Sequence, residues 1–113
     1  MKQISRRKKG RRLQNYLRSK IMQTFPILRP EDVRVAKNGE NGADIKLSKI
    51  ARRVIPYQFE CKNQEKMKTI YDFYNQAYKN SGKLEPVLVM KMNSREPLVV
   101  IDFEHFIELI KPE

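Results

Sequence analysis

Two short stretches of alternating polar and apolar residues constrain this 113-residue chain more than any other feature. In residues 55–62 apolar side chains alternate with polar ones, which is the period-two pattern of a half-buried strand. Such a strand puts Glu60 and Lys62 on one face, because side chains two positions apart point the same way. Residues 43–47 form a second run, with Asp44 near its start. If the strands are adjacent, two carboxylates and an ammonium lie together, and such carboxylates can bind a hard divalent cation.

The charge balance indicates the class of partner. The chain has 24 Lys and Arg against 13 Asp and Glu, a net charge of +11, and its isoelectric point is near 10.0. A fold does not require this excess, which favours a polyanion, most simply nucleic acid. The alternative is a basic, solvated surface with no partner. The length predicts one domain, residues 1–113.

The sulfur and imidazole content excludes several kinds of site. The lone Cys61 allows no internal disulfide, which fits a reducing compartment, and we interpret it as a small core residue. One cysteine and the distant His105 cannot form a zinc site. The basic start is not followed by an apolar run, and the longest apolar runs have strand length, so we expect a cytoplasmic protein that makes no use of a membrane.

The periodicity predicts three helices. Apolar side chains at helical spacing predict the first over residues 10–24, with Gln14 at the edge of its buried face. The second spans 63–80 with an apolar stripe that we interpret as core packing, and the third spans 102–110. Residues 1–9 are predicted to be a flexible basic arm.

Five short stretches are predicted to be strands. They are residues 33–35, 43–47, 55–62, 86–92 and 98–101. Two Asn-Gly pairs in residues 37–42 predict a turn that leads the chain into Asp44. The last two strands are apolar at nearly every position, which indicates burial on both faces. This order gives an α/β sandwich around a mixed central sheet of about five strands flanked by helices. Residues 48–54 are expected to form a basic loop or one helical turn.

The order of these motifs resembles the PD-(D/E)XK nuclease superfamily. The resemblance rests on a first helix with a polar residue, Gly42-Ala43-Asp44, Glu60-Cys61-Lys62 on a strand, and an amphipathic helix after it. Within the superfamily, the small size, the basic start and the sequence Lys-Gly-Arg-Arg-Leu at 9–13 look like Holliday junction resolvases and related phage-encoded endonucleases. The likeness covers roughly residues 8–110. It implies a single nuclease-like domain with a restriction-endonuclease-like fold.

The family's roles carry over by position. The resemblance implies that Asp44 and Glu60 bind the metal and that the backbone carbonyl of Cys61 adds an oxygen ligand. Lys62 matches the residue that positions the attacking water. The implied cofactor is Mg²⁺, for which Mn²⁺ can substitute.

Three further positions bear on the match to the family pattern. Gln14 falls where many members carry a glutamate. The amide of Gln14 is neutral, so the resemblance does not extend to a second metal ion. If Gln14 acts, it would contact a water or a residue outside the metal ligands. Gln64 falls where relatives often carry a polar residue, so we include it among the candidate catalytic residues. Ala43 replaces the usual proline.

The implied reaction is hydrolysis of a DNA phosphodiester to a 5′-phosphate and a 3′-hydroxyl. Basic side chains would hold the DNA backbone without reading bases, which fits a structure-selective enzyme acting on branched DNA. A four-way junction has two positions to cut, so a two-fold homodimer is expected. If the protein is phage-encoded, it is expected in the host cytoplasm. The candidate DNA-binding residues are Arg6, Arg7, Lys8, Lys9, Arg11, Arg12, Lys49, Arg52 and Arg53.

Three other functions remain open from the sequence. The first is another nuclease of the superfamily, acting on flaps, on ends or on a restriction site. The second is a DNA-binding or packaging accessory protein that keeps a nuclease-like fold without catalysis. The third is an RNA-binding accessory protein in which Asp44 and Glu60 are surface charges.

Overall fold

The protein is a mixed α/β molecule that divides into two compact units. The computed structural model describes residues 6–63 and 67–113, and of residues 6 and 7 the backbone only. Unit 1 is Met1–Gln64 with Lys111–Glu113, and unit 2 is Glu65–Ile110. The described residues form four helices and two separate antiparallel sheets of two strands each. The single domain expected from the length stays a prediction.

Unit 1 begins with helix α1, Arg6–Thr24. The helix starts four residues before the predicted position, because Gly10 inside a helix costs only about 1 kcal/mol relative to alanine and does not break it. The second half of the predicted basic arm is therefore helical, and residues 1–5 lie outside the described residues. Leu17 and Ile21 are buried on its inner face, as their spacing predicted.

The first sheet pairs β1, Val33–Val35, with β2, Ile45–Leu47. Val33 lies opposite Leu47 and Val35 opposite Ile45 in the antiparallel register. A short 3-10 turn, Pro30–Asp32, leads from α1 into β1. The core of unit 1 lies between α1 and this sheet and includes residues that follow each of them. Its buried apolar residues are Leu17, Ile21, Phe25, Leu28, Val33, Ile45, Ala51 and Ile55.

Helix α2, Lys49–Val54, follows β2, so of the two expected forms, a basic loop or one helical turn, the helical one is present. Ser48 is its N-cap: the Ser48 hydroxyl accepts the N–H of Ala51 at 3.1 Å and donates to Asp32 Oδ1 at 2.8 Å. The backbone N–H of Arg29 also donates to Asp32, at 2.8 Å. These bonds, that of Arg29 first, hold the pKa of the Asp32 carboxyl below its usual value. Asp32 thereby fixes the start of α2 to the turn before β1.

Unit 2 contains helix α3, Lys68–Asn80, strands β3, Leu88–Met90, and β4, Leu98–Val100, and helix α4, Phe103–Ile110. α3 starts five residues later than predicted and packs against β3. The Asp102 carboxylate accepts the N–H of Glu104 at 2.8 Å, which explains where α4 begins.

The burial of unit 2 differs from the prediction. Both strands were expected to be buried on both faces, yet Val89 is 64% exposed and Val99 is 62% exposed. The α3 stripe was expected to be core packing, but no described residue of α3 is buried and Phe73 is exposed. The apolar pattern correctly identified the strands, but it carries no information on what covers them.

The five-stranded central sheet is not formed by the residues that the structure describes. β1–β2 and β3–β4 are two separate pairs. Residues 55–62, the remaining predicted strand, join neither ladder. Two causes are local: Pro56 has no N–H to donate, and the N–H of Cys61 is bonded by a side chain rather than by a neighbouring strand.

Candidate active site

Asp44 lies at the junction of the turn, strand β2 and residues 59–61. Its N–H donates to the carbonyl of Phe59 at 3.2 Å, and its carbonyl accepts the N–H of Ala36 at 2.9 Å. Its carboxylate oxygen Oδ2 accepts the N–H of Cys61 at 2.6 Å. Backbone and side chain of Asp44 therefore fix the two halves of the predicted motif against each other, as the sequence anticipated. Asp44 comes just before β2 rather than within it.

A tight turn delivers the chain to Asp44. The Glu40 carboxylate accepts two bonds from the Arg34 guanidinium, at 2.9 and 2.8 Å, and one from the N–H of Lys37, at 2.8 Å. The Arg34 guanidinium first, and then the Lys37 N–H, lower the pKa of the Glu40 carboxyl to about 2. Gly42 has a φ of +94°, and a Cβ there would lie 2.7 Å from Lys46 Nζ, which donates to the carbonyl of Asn41. The Lys46 side chain can move away, so the left-handed backbone is what favours glycine two residues before Asp44.

Residues 58–62 keep the predicted alternation without being a strand. Gln58, Glu60 and Lys62 are exposed, and Phe59 and Cys61 are half-buried. Glu60 and Lys62 are thus both directed towards solvent. Their placement on one face of a strand stays a prediction, and the prediction of a hydrogen-bonded strand is wrong over these residues.

Cys61 lies between the two candidate acids: Glu60 precedes it in the chain, and Asp44 Oδ2 accepts its N–H at 2.6 Å. The pKa of the Cys61 thiol is raised, first by burial and then by the negative charges of Asp44 and Glu60. A thiol with a raised pKa is a poor nucleophile, which agrees with Cys61 as a packing residue.

Neither candidate glutamine has a described hydrogen bond to the candidate acids. Gln14 is half-buried on α1. Among residues 6–63 and 67–113, no hydrogen bond joins Gln14 to Asp44 or to Glu60. Gln64 lies outside the described residues.

Two contacts that the sequence did not indicate bring the basic half of α1 to this region. Arg11 Nη2 donates to Asn38 Oδ1 in the turn, at 2.7 Å, and Asn63 Nδ2 donates to the carbonyl of Lys9, at 3.1 Å. Asn63 directly follows Lys62, so its adjacency to the motif was the one available signal. α1 therefore runs beside both the turn and residues 59–63. Arg11, proposed for DNA contact, is already partly used by this bond.

The remaining basic candidates are distributed over α1 and α2. Lys8 and Arg12 are exposed on α1, and Lys9 is half-buried. Lys49, Arg52 and Arg53 are exposed on α2. Arg6 and Arg7 belong to α1, but their side chains are not described.

The net charge is confined to one unit. Unit 1 has 18 Lys and Arg against six Asp and Glu, a net charge of +12. Unit 2 has six against seven, a net charge of −1, and the two values sum to the +11 of the chain. The candidate acids thus lie in a strongly basic unit, where a polyanion is attracted.

The number and kind of oxygen ligands around Asp44 decide whether Mg²⁺, the cation implied by the resemblance, could bind there. Within the described part of the chain, no group of three or more His, Cys, Asp or Glu residues could hold a metal ion. Asp44 has Oδ1 beyond the oxygen that Cys61 occupies, and Glu60 is exposed. Mg²⁺ commonly takes one or two carboxylates and keeps several waters, so this oxygen donor set fits Mg²⁺ in kind.

Comparison of the chain with protein-family models, with curated proteins and with solved structures finds no match. Over the residues that the structure describes, no helix is both long enough and apolar enough to cross a membrane.

Proposed function

We propose that this chain is a Mg²⁺-dependent endodeoxyribonuclease that acts on branched DNA in the manner of a Holliday junction resolvase. The observation that carries the proposal is the 2.6 Å bond from the Cys61 N–H to Asp44 Oδ2. It joins two motif halves that are 17 residues apart, and it does so in a unit of net charge +12. A basic unit with carboxylates beside its DNA-binding helices has the parts that phosphodiester hydrolysis requires.

The proposed roles follow from what each group can do. Asp44 Oδ1, a Glu60 oxygen and the Cys61 carbonyl would hold Mg²⁺, which when bound supplies a Lewis acid for the phosphate and lowers the pKa of a coordinated water. The Lys62 ammonium, exposed like Glu60, would orient a water and offset negative charge. Gln14 and Gln64 are retained as positioning residues in the proposal.

The DNA backbone would be held by α1 and α2. Lys49, Arg52 and Arg53 are exposed on a short helix whose start is fixed by the Ser48 cap. Side chains on a fixed helix bind phosphates with less loss of conformational entropy than side chains on a free loop. None of these contacts requires the reading of bases, which favours recognition of DNA shape.

The proposal includes a restriction-endonuclease-like α/β sandwich with a central sheet of about five strands. In that fold the segment that carries the glutamate lies beside the strand that carries the aspartate. The bond from the Asp44 N–H to the Phe59 carbonyl is the kind of backbone contact that such a pairing would extend.

A cleavage assay in Mg²⁺ tests the function. Four-way junction, flap, single-stranded and linear duplex DNA would be compared with wild type, Asp44→Asn and Glu60→Gln. Asparagine keeps an oxygen that accepts the Cys61 N–H while removing the charge, so Asp44→Asn should fold and reduce cleavage by at least about 100-fold. Asp72→Asn, which alters an exposed acid of unit 2, is the matched control and should cut like wild type.

The outcomes separate the candidate functions. Paired nicks in the junction alone, abolished in both variants, support a resolvase, and cuts in the other shapes support a different nuclease of the same chemistry. Glu60→Gln should keep or strengthen DNA binding, because it removes a negative charge near the backbone. Normal cleavage by Glu60→Gln would remove this residue from the site.

A second function is favoured by one observation. Asp44 Oδ2 is engaged by a backbone N–H, which is also how a purely structural aspartate holds a loop. In that case the chain is a DNA-binding accessory protein without catalysis. Tight DNA binding with no cleavage in Mg²⁺ or Mn²⁺ would establish that alternative.

A further inference from the structure

Helix α2 has an exposed apolar row beside its basic side chains. Ala51 and Ile55 are buried and mark the side of the helix that packs on unit 1. Ile50 and Val54 are also four positions apart, so they are neighbours on one flank of the helix. Ile50 is 58% exposed and Val54 is 42% exposed. These two aliphatic side chains therefore form one apolar row that the core of unit 1 does not cover.

Neither helix formation nor core packing accounts for the Ile50–Val54 row. Isoleucine and valine are β-branched, and they are weaker helix formers than the lysine, glutamate or alanine that commonly fill exposed helix positions. Single exposed apolar residues are ordinary on protein surfaces. Here two of them lie one turn apart on a helix of six residues, so they present one joint contact surface.

The charge beside the row favours a polyanion as its occupant. Lys49 and Arg53, again four positions apart, are exposed on the side of α2 that faces away from the buried Ala51. Residues 45–59 contain four Lys or Arg and no Asp or Glu. Asp32, the acid at the start of α2, already accepts bonds from the Ser48 hydroxyl and from a backbone N–H. The apolar row is thus flanked by positive charge, in a unit of net charge +12.

Nucleic acid offers a chemical match for the two rows of α2 together. Its phosphates attract lysine and arginine wherever the backbone runs. In a continuous duplex each base face is covered by its stacked neighbour, so an aliphatic row gains little there. At a branch point the adjoining base pairs lose a stacking neighbour and expose an apolar face. Isoleucine and leucine are among the side chains that proteins place against unstacked base steps.

We propose that the Ile50–Val54 row packs against the exposed base faces at a DNA branch point while Lys49 and Arg53 bind the adjacent phosphates. The row is the part of α2 that distinguishes branched DNA from linear duplex. This inference rests on the proposed binding of DNA by α2, and it does not depend on hydrolysis at the candidate active site. A membrane surface suits the row less well, because two aliphatic side chains bury little apolar area in a bilayer.

The test compares the affinity of the full chain for a four-way junction and for a linear duplex of equal length and base composition. Fluorescence anisotropy in metal-free buffer measures binding without cleavage. The wild type should prefer the junction. The double variant Ile50→Ser/Val54→Ser should lower that preference by about 10-fold or more, because both apolar contacts are lost. Its affinity for the duplex and its salt dependence should not change, since no charge is removed.

Conservative and remote substitutions control for effects on folding and on surface hydrophobicity. Serine has a helix propensity close to that of isoleucine and valine, so α2 should persist in the serine variant, which circular dichroism checks. Ile50→Leu/Val54→Leu keeps the row apolar and should keep the junction preference. Leu84→Ser removes a side chain that is 79% exposed in unit 2, and it should keep the preference too.

A fluorescent purine analogue, placed in the base pair next to the branch point, reports the contact directly. Stacking quenches its emission, so binding of the wild type should make it brighter, and binding of the serine variant should not. A serine variant with the full junction preference would overturn the inference and leave the proposed nuclease standing. Equal affinity of the wild type for junction and duplex would also overturn it.

Two further outcomes separate this inference from its alternatives. If the serine variant loses binding to phosphatidylserine vesicles and keeps its junction preference, the row belongs to a membrane surface and the inference is wrong. If the wild type does not cut DNA in Mg²⁺, but its junction preference is lost in the serine variant, the inference holds and the proposed nuclease does not.

Discussion

Unit 1 combines a high positive charge with most of the described core, whereas unit 2 has almost no net charge and little buried apolar surface. Eight of the nine buried apolar residues that form the described core belong to unit 1, together with a net charge of +12. Unit 2 has one of the nine, Ile107, and almost no net charge. A self-sufficient core allows unit 1 to tolerate the repulsion among its basic side chains. The excess positive charge and most of the described core therefore lie in the same unit.

The largest expected effect comes from the core of unit 1. Phe25→Ala removes a 2% exposed side chain and should lower the free energy of unfolding by about 3–5 kcal/mol. The paired variant Phe73→Ala, in unit 2, removes a side chain that is about half exposed and should cost less than about 1 kcal/mol. Urea unfolding followed by circular dichroism measures both. Equal reductions would show that the two units do not differ in packing as described.

The next effect concerns DNA binding. Changing Lys49, Arg52 and Arg53 to Gln should lower the slope of log affinity against log salt by roughly 0.9 for each phosphate that is no longer neutralised, and thus by about 2–3 in total. Changing Lys79, Lys83 and Lys91 of unit 2 to Gln removes the same charge from the chain. That control should leave the slope nearly unchanged. Equal changes in the two triple variants would mean that DNA responds to net charge and not to a surface of unit 1.

A smaller effect tests how α2 is held. Ser48→Ala removes the cap of α2 and its bond to Asp32, and should destabilise unit 1 by about 1 kcal/mol. Ser81, whose hydroxyl donates to the Tyr78 carbonyl at the end of α3, is the matched position in unit 2. Ser81→Ala should cost less than about 0.5 kcal/mol, because this bond is exposed to water. Thermal unfolding of both variants checks the ranking.

The smallest effect is a pH dependence confined to unit 1. The folded-state pKa of Glu40 is about 2, below its usual 4.5, so its contribution to stability is complete above pH 4.5 and is lost as the pH falls towards 2. An NMR titration of the Glu40 carboxyl should give the low midpoint. Glu40→Gln should remove this part of the acid dependence, and an ordinary midpoint in the wild type would contradict the Arg34 pairing.

The sequence predicted the positions of helices and strands better than it predicted their pairing and burial. The strand at Val33–Val35, the turn after it and the apolar spacing of Leu17 and Ile21 were correct, because each depends on local backbone preference or on one helix face. The strand at residues 55–62 was not, since the Asp44 side chain takes the Cys61 N–H that a neighbouring strand would need. A side chain 17 residues away leaves no mark on local periodicity.

The same limit applies to the site. Residue type and spacing nominate Asp44 and Glu60 as candidate acids, and the bond from Cys61 to Asp44 brings their two segments together. The sequence could not predict two other contacts, Arg11 with Asn38 and Asn63 with Lys9, because both depend on where α1 lies relative to the turn and residues 59–63. In unit 2, the apolar runs correctly located β3 and β4. They could not predict burial, because a covered sheet face and an exposed one can carry the same apolar residues.

Arg18 makes α1 and the first sheet one mechanical element. Its Nε donates to the carbonyl of Val33 at 2.6 Å and its Nη2 to the carbonyl of Pro30 at 3.0 Å, so one planar group grips the chain on both sides of the entry to β1. Val33 pairs with Leu47 of β2, the strand that directly follows Asp44. The two Arg18 bonds therefore connect the basic helix to the strand pair that adjoins the carboxylate.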